Sequence, residues 1–143
     1  MRLQPVEEIL TSWRRCINSG LTNSVSAEST YISKDALQTA LSESKQVISL
    51  FDGIGIELEN LTVNKNLAFL LINPEGVLLK KKCCKELNKK IEKIGIKIGM
   101  SFAERSIGTN AIALSIRIKN RFTLHHCTII VTYSENSIFI QYR

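Results

Sequence analysis

The chain has 143 residues, of which 44% are hydrophobic and 22% charged, with a formal net charge of +6. That is one domain's length, with enough apolar material to form a core without disulfide or metal staples. The longest apolar run, Leu67 to Ile72, is far too short to span a bilayer, and the opening MRLQPVEEIL has acids where a signal peptide needs an apolar centre. The chain therefore reads as cytoplasmic, with no membrane segment.

From Pro5 to Asn18 the sequence predicts a short amphipathic helix. Proline is tolerated in a first turn, Glu7 and Glu8 sit near the positive end of the helix dipole, and Arg14 and Arg15 near the negative end. Val6, Ile9, Leu10, Trp13 and Ile17 fall on one face at helical spacing. Gly20 ends the helix, and the polar stretch Thr22 to Ser29 is the best boundary in the chain. Residues 1–32 thus form a helix and linker, and residues 33–143 the main domain.

Ser33 is placed to cap the next helix. Leu37, Leu41, Ile48 and Phe51 continue a helical stripe broken only by Ser44, and Gly53 and Gly55 mark a kink before Leu58 and Leu61. Leu67 to Ile72 then reads as a strand, and its continuous apolarity implies a central position covered on both faces. Asn73-Pro74-Glu75-Gly76 is a turn, so Val77-Leu78-Leu79 returns as the second arm of a hairpin.

Lys80 to Lys97 holds eight lysines against two glutamates, which accounts for the whole charge excess. Lys80 to Ile94 reads as a basic helix with Leu87, Ile91 and Ile94 inward. Without arginines or aromatics between the lysines it lacks base-stacking partners, so direct nucleic-acid binding is not expected. A solvated face is one reading and a surface for an acidic partner the other.

The most informative stretch is Gly95 to Ser115, GIKIGMSFAERSIGTNAIALS. It passes from glycines through Phe102, Glu104 and Arg105 to Gly108-Thr109-Asn110, then into an apolar helix over Ala111 to Ile118. A Thr or Asn at such an entry caps the helix with a side-chain oxygen, and the helix start offers free N–H groups to a polar ligand. Phe102, Glu104, Gly108, Thr109 and Asn110 are therefore candidate ligand-binding residues. In the competing reading Glu104 and Arg105 form a structural pair that locks the loop. The end of the chain alternates through Phe122 to Cys127, then gives two strands around Ser134-Glu135-Asn136-Ser137. The adjacent His125 and His126 face opposite sides of a strand, so they do not share a metal, and one of them is a candidate donor to a ligand. The expected fold class is α+β: an antiparallel sheet with helices packed on it, preceded by a short N-terminal helix.

Catalytic and cofactor signatures are missing. No glycine-rich phosphate loop, nucleophile elbow or metal-ligand spacing occurs, and Cys16, Cys83, Cys84 and Cys127 contain no C-x-x-C. No cofactor, metal or catalytic residue is expected, and a small cysteine-dependent enzyme is the weakest of the alternatives.

Taken in order, the motifs resemble one family. Ser12-Trp13-Arg14-Arg15-Cys16 with Gly20-Leu21, Asn73-Pro74-Glu75-Gly76 with Val77-Leu78, Gly99 through Ala113 (GMSFAERSIGTNAIA) and Leu124-His125-His126 are similar to the start of acetoin-regulator-type sigma-54-dependent transcriptional activators. The resemblance implies a GAF-like sensory domain that binds a small-molecule effector. In that family it is followed by an AAA+ ATPase acting on sigma-54 RNA polymerase and by a DNA-binding helix-turn-helix. This chain shows neither a Walker motif nor a recognition helix, so it should neither hydrolyse ATP nor read DNA. A homodimer is expected, and a homodimerisation or protein-interaction module without ligand is the alternative from another class.

Overall fold

In a computed structural model the chain is described over residues 5–21, 30–62, 67–120, 127–134 and 137–141. The described elements are α+β. A four-stranded antiparallel sheet is built from β1 (Leu67–Ile72), β2 (Leu78–Cys83), β3 (Cys127–Ser134) and β4 (Ser137–Gln141), in the order β2-β1-β3-β4. β1 is central, as its unbroken apolarity implies. Ala68 to Ile72 are all buried, because successive side chains point to opposite faces and both faces are covered.

On one face lie three short helices, α2 (Lys34–Glu43), α3 (Lys45–Gly53) and α4 (Gly55–Thr62). Ser33 caps α2 by accepting the Ala36 N–H at 3.2 Å. Phe69 and Leu71 of β1 pack there with Leu79, Phe51, Leu58 and Ala40. The kink expected near Gly53 falls at Ile54. A second break occurs at Ser44, where a polar residue interrupts the apolar stripe and the chain turns between helices.

The other face carries α5 (Lys85–Lys93), the loop 95–103, the four-residue α6 (Glu104–Ile107) and α7 (Ala111–Asn120). Leu70, Ile72 and Leu78 meet Phe102 and Ile112 there, while Ala68 meets Leu87 and Ile91 of α5.

Lys80 to Lys82 belong to β2, which corrects the helical reading of that stretch. Pairing with β1 carries the hairpin through Cys83 (Leu71 opposite Lys80, Ala68 opposite Cys83). The strand's alternation then sends Lys80 and Lys82 towards Asp52 and Glu59, at 3.6 and 3.9 Å, and Lys81 towards Glu92 at 2.8 Å. Lysines on an edge strand also discourage pairing with another sheet. No helix among the described residues is long and apolar enough to cross a membrane.

The helix α1 (Pro5–Asn18) occupies the predicted range and packs against α6 and α7. Its orientation is unusual. Glu8, Ser12 and Cys16, one turn apart from each other, are buried, while Trp13 and Ile17 are 61% and 67% exposed. The polar stripe faces the domain.

Candidate functional site

The site forms where α1, the hairpin turn and the loop 102–110 converge. The turn comes first. Asn73 accepts the Gly76 N–H through its carbonyl and the Val77 N–H through its side chain, both at 2.9 Å. Gly76 has φ +90°, and a β-carbon there would lie 3.0 Å from the Ala103 nitrogen. Only glycine combines that left-handed backbone with so close an approach. The Gly76 carbonyl accepts the Phe102 N–H at 2.8 Å, so the turn holds the loop that carries Glu104.

Asn110 fixes the other end of that loop. Its side-chain oxygen accepts the Ala113 N–H at 2.9 Å, capping α7, while its amide donates to the Phe102 and Gly108 carbonyls at 2.8 and 2.9 Å. Gly108 sits at φ +80° between α6 and α7. Phe102 anchors the loop from below, 6% exposed among Leu70, Ile72, Leu78 and Ile112.

On this frame Glu104 receives a fork from α1. Arg15 Nε donates to Oε2 at 3.0 Å and Arg15 Nη2 to Oε1 at 2.7 Å. Ser12 Oγ also donates to Oε1. A carboxylate accepts only, so Ser12 commits its one proton to Glu104, and Thr109, 2.9 Å from Ser12 Oγ, donates to Ser12 in turn. Cys16 Sγ lies 3.4 Å from Thr109 Oγ1. The Arg15 fork, with help from Ser12, holds the Glu104 carboxyl below its ordinary range against the opposing pull of burial, and Glu104 in return raises Arg15. The loop-locking pair therefore joins Glu104 to Arg15, while Arg105 is exposed.

An open hollow of about 230 Å³ borders this junction. Its walls are the turn Pro74–Gly76, Ala103 and Glu104 of the loop, and Ala113, Ile116 and Arg117 of α7. Two carboxylates and a guanidinium thus surround an apolar floor, and Arg117 is near enough for its charge to lower Glu104 further. The space between the loop and the sheet is occupied by Phe102, Ile112 and their neighbours. The hollow lies between turn and helix instead of beneath the loop, because an apolar sheet face leaves no room where aromatic and branched side chains can close on it.

Of the residues singled out from sequence, Phe102, Glu104, Gly108, Thr109 and Asn110 are brought together, with Glu104 alone among them in the wall of the hollow. His125 and His126 lie outside the described residues. Ser12, Arg15, Glu75 and Arg117 also belong to the junction, although the sequence motifs do not mark them as ligand-binding residues. The signal available for the first two was the polar face Glu8, Ser12, Arg15 and Cys16 at helical spacing beside the apolar one. No group of three or more potential metal ligands occurs among the described residues. Burial pushes the Cys83 thiol up, disfavouring the thiolate a cysteine nucleophile needs.

The fold resembles that of a chain in the crystal structure of the E. coli DhaR(N)–DhaL complex. The TM-score is 0.65 at 18% identity, over 78% of this chain and 37% of the other. This chain therefore spans little more than a third of that neighbour's length, and at that identity the likeness concerns the fold. No family model matches the chain, and no curated protein matches it.

Proposed function

We propose that this chain is a cytoplasmic, non-catalytic signal-input domain of a transcriptional regulator of the acetoin-regulator sigma-54-dependent type, with a GAF-like body over 33–143 and α1 with its connector over 1–32. The observation that carries the reading is the placement of Glu104, which at once walls the hollow and receives Ser12 and Arg15 from α1. A small molecule that engages Glu104 and Arg117 competes with α1 for the same carboxylate, or reinforces its hold. Either way the equilibrium between latched and released α1 shifts by the ligand's differential affinity for the two states. Phe102, Gly108, Thr109 and Asn110 act in this scheme by holding Glu104 in place.

At about 230 Å³ the hollow is smaller than the usual drug-sized site, so the effector is a small polar molecule. In a full-length regulator the state of α1 passes to an attached AAA+ ATPase and from there to sigma-54 RNA polymerase, with the domain acting as a homodimer. The fold neighbour, whose crystal structure is of a complex with a protein partner, supports a regulatory role.

The test is a thermal-shift screen of small diols, ketones, amino acids and carboxylates on the wild-type chain and the Arg117→Ala variant. Arg117 is exposed and outside the latch, so the variant keeps its fold. A ligand that raises the melting temperature of the wild type by mass action and not that of the variant supports the reading. A response that survives in the variant moves the ligand elsewhere, and silence across the panel argues for an interaction module without ligand.

A further inference from the structure

The outward face of α1 is built for a partner. Ile9 and Leu10 are each 46% exposed beside Trp13 and Ile17, and together they form one stripe, while the helix gives its polar side to the domain. Those four side chains present on the order of 400 Å² of apolar surface, a size at which a patch on a monomer marks an interaction site.

We propose that this stripe docks a second copy of the same chain, through an antiparallel, two-fold pairing of the α1 helices. Charge placement selects that occupant. Glu7 and Arg14, seven residues apart and both exposed, lie on the same side of the stripe because seven residues are close to two turns. An antiparallel register that sets Ile9 near Trp13 of the second copy also brings Glu7 to within one residue's rise, ~1.5 Å, of Arg14 of that copy, twice by symmetry. A parallel two-fold pairing puts the two copies of that flank on opposite sides of the seam, so Glu7 and Arg14 do not meet across it. Antiparallel packing also opposes the two helix dipoles, whose ends the helix already marks with glutamates and arginines. A self-complementary patch of this kind is what a two-fold interface requires. Two copies cover roughly 800 Å², below the size of a stable complex, so the pairing is weak and concentration-dependent. The proposal gives a surface to the homodimer named above and rests on that part of the reading. It does not depend on the ligand, so a negative thermal-shift screen leaves it standing and the converse also holds.

Sedimentation of the full chain across a wide concentration range tests it, read together with the emission of Trp13, the sole tryptophan. Expected are reversible dimers and a blue shift of Trp13 emission that follows the dimer fraction. Trp13→Ala weakens association at least about tenfold. Glu7→Arg and Arg14→Glu each weaken it about two- to fivefold, and the double variant restores it. Melting temperatures at low concentration check that each variant is folded. The proposal is overturned by a chain that stays monomeric with solvent-exposed Trp13 emission, which would assign the face to a different protein. It is equally overturned by dimers indifferent to Trp13→Ala, which would point to another surface such as Leu50 and Ile56, or by charge variants that show no loss and no recovery.

Discussion

The two helical layers of this domain bury opposite kinds of surface. Helices α2 to α4 turn Ala40, Phe51 and Leu58 onto Phe69, Leu71 and Leu79 of the sheet and, Thr62 apart, keep their polar side chains off that buried face. Helix α1 instead turns Glu8, Ser12, Arg15 and Cys16 towards α6 and α7 and leaves Trp13 and Ile17 outside. The first arrangement is held by area removed from water, which is non-directional and lost only when the domain unfolds. The second is held by a few directional bonds to one carboxylate, each of modest net strength in a half-exposed setting. A domain so divided can release α1 without losing its core.

The largest expected effect lies in the first layer. Phe51→Ala, at a side chain 3% exposed, should destabilise the whole domain by about 3–5 kcal/mol in urea unfolding, with every probe moving together. Gly76→Ala comes next, at about 1–3 kcal/mol, because a β-carbon both strains the backbone and meets the Ala103 nitrogen. It should also weaken the hold on the loop bearing Glu104. Glu104→Gln should cost about 1–2 kcal/mol, and the loss should fall on α1 alone. If urea melts of that variant instead resemble those of Phe51→Ala, the two layers are not separable.

Acid should act like a milder form of the same change. The folded Glu104 carboxyl lies below its unfolded value of about 4.3, held there chiefly by Arg15. Its contribution is therefore complete above that unfolded value and disappears as pH falls through the lower, folded one. α1 should loosen in that acid window while the far layer persists, which far-ultraviolet circular dichroism alongside Phe51-layer probes can follow. The smallest effect is expected at the Lys81–Glu92 pair. Its geometry is good at 2.8 Å, yet Glu92 stands in solvent, so Glu92→Gln should leave the melting temperature within error.

The same division explains what the sequence disclosed. The central strand, its hairpin turn and the limits of α1 were legible because each is written as a local period or a turn signal: LAFLLI, then NPEG, and Pro5 through Gly20. The extent of β2 was not, since Lys80 to Lys82 carry no strand propensity and are drawn into the sheet by Leu70 and Leu71 opposite them. The site was half legible. Glu104, Thr109 and Asn110 stood out as a loop entering a helix, but their partners Ser12 and Arg15 lie some ninety residues away. Polar pairs at that separation follow no period, and apolar residues on α1 drew attention to the face that the domain does not use.

Hydrogen exchange on α1 tests most directly whether a polar latch holds that helix to the domain. A fourteen-residue helix in water is marginal on its own, so its amides are protected only while docked. Residues 5–18 should lose protection in Glu104→Gln while the amides of β1 and α3 exchange as in the wild type. Undiminished protection of α1 in that variant, or loss spread evenly over α1, β1 and α3, would contradict a latch at Glu104.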